Sequence, residues 1–150
     1  MSADSAYGAM LVITADRLDP AKVTEALGLQ PDQQWRKGDR ASYRTASGEL
    51  RKSESINDCG GWKLWLREPF VNLPIEEQLR HWGHVLDDKA EALSAIRKSG
   101  AIVVMDCFIS TSSTIDFHVR ADLQTKFSAL GIDLYFLFHA HSSANAQLAV

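Results

Sequence analysis

Apolar positions in this chain recur every second residue in some stretches and every third or fourth in others, and the changes of rhythm mark the elements to expect. The longest nearly unbroken apolar run is 101–109, with Ile102, Val104 and Phe108 on one side and Val103, Met105, Cys107 and Ile109 on the other. Two apolar sides predict a strand inside a sheet, covered on both faces. Residues 7–15 read as a first strand. Asp19-Pro20 supplies an N-cap oxygen and a proline for the first helical turn, Val23, Ala26 and Leu27 follow at helical spacing, and Gly28 stops the helix. The block 30–40 reads as a loop carrying a tryptophan, 41–45 as a short strand, and 46–61 as a long mobile loop.

Residues 62–67 alternate, with Trp62, Leu64 and Leu66 on one face and Lys63, Trp65 and Arg67 on the other, which predicts a strand. From Pro74 onward, Ile75, Leu79, Trp82 and Leu86 form one helical stripe that Ala90, Leu93 and Ile96 continue. The Asp87-Asp88 pair fits either one long helix or two short ones. Ile115, Phe117 and Val119 alternate with Asp116, His118 and Arg120 as a further strand would; Leu123, Phe127 and Leu130 mark a helix closed by Gly131, and 132–140 is the last strand. The fold class expected is α+β: a two-layer sandwich of about six mainly antiparallel strands with about three to four helices on one face, built as strand-helix-strand units in the ferredoxin-like style.

Composition narrows the function more than the fold. A chain of 150 residues with a net charge of −3 suits one domain and offers no basic field, so nucleic acid and anionic membrane are not expected partners. Cys59 and Cys107 lack any metal-type or redox-type spacing and read as reduced thiols. Met1-Ser-Ala-Asp-Ser has no basic n-region and no following apolar segment long enough for a signal peptide or a membrane span, so the cytoplasm is the expected compartment. Residues 1–5 and 142–150 are expected to be frayed tails.

Leu18-Asp-Pro, Leu27-Gly-Leu-Gln-Pro31, Trp35-Arg-Lys-Gly-Asp39, Gly61-Trp62-Lys-Leu, a helix, and Ala129-Leu-Gly-Ile132 ahead of an apolar strand together resemble the bacterial family designated domain of unknown function 4279. The similarity covers nearly the whole chain. It implies a small bacterial α+β domain and no reaction, so no catalytic residue carries over.

The residues themselves hold three constellations. Trp35, Arg36, Lys37, Gly38, Asp39 and Arg40, with Tyr43 and Arg44 nearby, combine an aromatic platform, cations and a glycine, a make-up that suits a planar anion; the plainer reading is a tryptophan plugging the core edge beneath solvated charges. His139 and His141, with His118 and Asp116, have the residue types of a metal site without its spacing. Hydroxyls at 110–114 and the two thiols show no nucleophile arrangement. No cofactor, metal or catalytic residue is expected, and an enzyme is the least favoured class.

Counting faces gives the preferred reading. If Trp62, Leu64, Leu66, Ile115, Phe117, Val119, Leu134, Phe136 and Phe138 lie under the helices, then Lys63, Trp65, Arg67, Tyr135 and Leu137 lie on the opposite side, where helices on one layer leave them open. A protein-interaction module follows, for instance a toxin-neutralising one, engaging a protein partner or a second copy through that open face, with Trp65 in the contact. The alternative is a small-molecule or anion sensor using loop 35–44.

Overall fold

Five strands form the sheet on which the molecule is built, in the order β2-β5-β1-β6-β7. The computed structural model describes residues 5–142. In chain order the elements are β1 (Ala6–Ala15), α1 (Pro20–Leu27), β2 (Gln33–Trp35), β3 (Arg40–Arg44), β4 (Leu50–Ile56), β5 (Gly60–Trp65), α2 (Ile75–Val85), α3 (Ala90–Lys98), β6 (Ile102–Thr111), α4 (Ala121–Leu130) and β7 (Asp133–Ala140). β1 is antiparallel to β5 and β6, and β2 to β5, so β1 and β2 run the same way with β5 inserted between them. With β7 and the separate β3-β4 hairpin set aside, this is the split β-α-β order of the ferredoxin-like arrangement. β7 is added beside β6 in parallel, which needs a crossover, and α4 supplies it.

The helices cover one face. Ala9, Leu11 and Ile13 of β1, Trp62 of β5, and Val103, Met105, Cys107 and Ile109 of β6 are buried together with Val23, Leu27, Leu79, Trp82, Leu93 and Phe127 from the helices. Asp19 caps α1 by accepting a hydrogen bond from the Ala21 N–H at 3.2 Å, and Gly28 ends it at φ +65°, a conformation glycine adopts without a Cβ penalty. The stripe from Ile75 is broken into two helices. Asp87 and Asp88 do not cap the second, whose N-cap is Lys89; Asp87 instead pairs with Lys126 of α4 at 2.9 Å.

β1 outruns β5 by several residues, and α2 completes its exposed edge. The buried Gln78 accepts from the Ala9 N–H at 2.8 Å and donates to the carbonyls of Tyr7 and Leu73, while the Trp82 indole N–H donates to the Ala9 carbonyl at 3.0 Å. These bonds stand where a neighbouring strand's ladder would be.

Four expectations are corrected. Residues 114–120 form no strand; Ile115 and Val119 tuck against the core from irregular backbone, so the alternation there reflects burial without a ladder partner. β6 is covered on one face only, since Ile102 and Phe108 are exposed. The loop 46–61 contains β4, paired with β3, and the loop 30–40 contains β2. Phe138 is exposed and not under the helices, its ring 5.6 Å from that of Phe117. Of the expected frayed tails, 1–4 and 143–150 lie outside the described residues, and the Ser5 hydroxyl is 3.1 Å from that of Thr111.

Candidate functional site

Register decides which side chains share the uncovered face. Trp35 lies opposite Gly61, Gln33 opposite Lys63, Lys63 opposite Val12, Trp65 opposite Met10, and Met10 opposite Asp106, which in turn neighbours Tyr135. These positions all have the parity opposite to the buried set. At the β6-β7 end the face carries Ile102, Phe108, Tyr135 and Leu137, which are 58%, 39%, 55% and 48% exposed. Met10 and Val12 of β1 lie half-buried between them and β5, and Val104 is half-buried beside Ile102 on β6 itself.

The β2-β5 end is different because the β3-β4 hairpin leans over it. Trp65, Asp32 and Gln33 share a recess of about 160 Å³ with Ser42, Tyr43, Arg44 and Leu50 of the hairpin, and Trp35 and Lys63 share one of about 140 Å³ with Ala41, Ser42 and Asn57. Residues 41–44 of β3, with Leu50 and Asn57, thus stand over part of the face, and Trp65 is half-buried at the boundary of covered and bare surface. Arg67 is drawn off to the Asp32 carboxylate, which also accepts from the Trp65 N–H at 3.0 Å.

The loop expected to bind an anion is split in two. Trp35 turns onto the open face, where its six-membered ring rests so close to Gly61 that a Cβ there would lie 2.0 Å from Cζ2, and the Lys63 ammonium sits 5.3 Å from a ring centroid. Its indole N–H is buried without a hydrogen-bond partner among the described residues. Arg36 and Lys37 turn the other way, to Asp19 (2.8 Å) and Asp16, and Arg40 donates to the Ser53 carbonyl at 3.1 Å. Lys37 holds the Asp16 carboxyl below its ordinary range. Asp39 accepts from the Arg36 N–H at 2.8 Å, and Gly38 takes φ +89°. The platform and the cations therefore do not converge on one ligand position. A recess of about 610 Å³ between the β1-α1 loop, α1 and the end of α3 is lined by the charges of Asp16, Arg17, Asp19 and Lys22, and its two carboxylates are already paired with those cations.

The other candidates separate as well. His139 and His141 have ring centroids 6.4 Å apart, and no group of three or more His, Cys, Asp or Glu able to hold a metal ion occurs among the described residues. Burial pushes the Cys107 thiol up to about 12, and burial followed by the Asp58 charge raises Cys59, so both are poor nucleophiles at neutral pH.

The sequence reading placed Lys63 on this face but missed Asp106, for which a carboxylate interrupting an apolar strand was the available signal. Both are half-buried there, and among the described residues neither has an ion-pair partner.

The described residues form an α+β sandwich of ferredoxin-like order with one sheet face open and no convergent polar cluster among them. The chain belongs to the family described as Domain of unknown function (DUF4279), whose model matches residues 5–141. No curated protein and no solved structure matches it. No helix among the described residues is long and apolar enough to cross a membrane.

Proposed function

We propose that this protein is a non-enzymatic protein-interaction module whose contact surface is the open sheet face. The observation that carries this reading is the row of Phe108, Leu137 and Tyr135 on neighbouring strands, with Ile102 exposed on the same side further along β6, large apolar side chains left in water. A monomer seldom leaves such a row bare, and aromatic residues beside isolated charges are typical of contact centres. The sensor reading has less support, because carboxylates already hold Arg36 and Lys37.

The test is the double variant Phe108→Ser/Leu137→Ser. Both side chains are exposed, so the unfolding curve should stay within about 0.5 kcal/mol of wild type. Association seen by sedimentation should be lost, and for a monomer the binding of an apolar fluorescent dye should fall. A variant that unfolds, or that changes neither readout, overturns the reading.

A further inference from the structure

We infer that the occupant of the open face is a second copy of this chain, set face to face by a two-fold axis crossing β1 between Met10 and Val12, so that Lys63 of each copy meets Asp106 of the other. This rests on the interaction reading and adds the identity of the partner.

The charges come first. Lys63 lies on β5 level with Val12, and Asp106 lies on β6 level with Met10, with β1 between them. Strand spacing and rise put the two about 12 Å apart in the plane of the sheet, too far to pair within one chain. Covering the face strips water from both, which is costly for any charge left without a counterion. A foreign partner would have to present an acid and a base at that separation. A second copy presents both automatically, because a two-fold axis through the midpoint of the pair, perpendicular to the line joining them, exchanges the two positions.

The shape of the face agrees with the charges. In each copy the hairpin leans over part of the β2-β5 end, with Lys63 half-buried in the recess beside it, and the β6-β7 end stays bare. The same rotation lays the hairpin end of one copy over the bare end of the other. The hairpin brings its own exposed apolar side chains, Tyr43, Leu50 and Ile56, to meet Phe108, Tyr135 and Leu137. In area, strands about 4.8 Å apart and about 30 Å long make a face of about 600 Å² before side-chain relief is counted. The hairpin brings this towards the roughly 800 Å² per partner of a standard interface.

The experiment is a charge swap read by sedimentation equilibrium. Wild type should be a dimer. Lys63→Asp and Asp106→Lys should each weaken dimerisation about tenfold or more, since each places like charges opposite one another. An equimolar mixture of the two variants should regain wild-type affinity to within about threefold, because the mixed dimer restores an acid–base pair on each side. Recovery on mixing also shows that both variants are folded. A mixture no tighter than the separate variants, or variants as tight as wild type, overturns the inference. In that case Phe108→Ser/Leu137→Ser decides the interaction reading separately, since a variant that still dimerises does so through another surface. A monomeric wild type overturns the second-copy inference alone, and the dye comparison then decides whether the face is an interaction surface.

Discussion

A single carboxylate interrupts the apolar run 101–109, and its setting shows how much of this molecule is decided side chain by side chain. Asp106 and Gln78 are both polar groups beside β1, but Gln78 is 1% exposed and bonded at both ends of its amide, while Asp106 has no side-chain hydrogen bond or ion pair among the described residues. Replacing Gln78 with leucine strands the Ala9 N–H and removes a donor from two carbonyls, which should cost about 1–3 kcal/mol in urea unfolding. A loss no larger than that of a surface change would mean that water or backbone movement fills the gap. His81 gives a pH prediction. It stacks on Phe70, and burial, then the charge of His84, hold its pKa below 6.5. The folded state thus prefers the neutral ring, so the unfolded chain binds more protons and stability falls as pH drops through about 6.5. His81→Phe should flatten that part of the stability–pH profile; an unchanged slope would assign it to other groups.

At the level of elements, the residues that carry the family resemblance turn out to be joints. Gly28 ends α1, Trp35 packs on Gly61, and the Trp62 indole N–H donates to the Thr24 hydroxyl at 3.0 Å, while Asp32, just past the Leu27–Pro31 block, anchors the end of β5 through Trp65 and Arg67. Gly60 fits for a related reason, a Cβ there coming within 2.8 Å of Leu18. Gly61→Ala should therefore lift Trp35, destabilise the protein by about 1–3 kcal/mol and alter tryptophan emission. Emission identical to wild type would show that the indole has another seat. Periodicity exposed β1, β5, β6 and the helices because each buries one face. It missed β4 because Leu50–Ile56 is exposed almost throughout, and β2 because three residues set no rhythm. It invented a strand at 115–119 because alternation reports burial, whereas a strand also needs a neighbour to bond.

For the whole molecule, the sequence made the open face legible through its unbalanced apolar count, and Tyr135 and Leu137 were found where that count put them. The charge pair was not legible, since Lys63 and Asp106 are 43 residues apart and only the order β5-β1-β6 brings them to one surface. Nor was the hairpin, whose closure depends on bonds remote in sequence: the Gly38 N–H donates to the Asn57 carbonyl and the Asn57 N–H to the Asp39 carbonyl, each at 2.8 Å. That closure makes 40–56 a detachable tip, because the chain leaves and rejoins the framework at two residues already bonded to each other. Lengthening such an excursion costs little, roughly 0.6 kcal/mol per doubling of its length. A lineage can therefore rewrite the tip without touching the joints beneath it. If each copy's tip reads the bare end of its mate, such rewriting amounts to changing a password: sister chains with divergent tips would sort into like-with-like pairs while keeping one architecture.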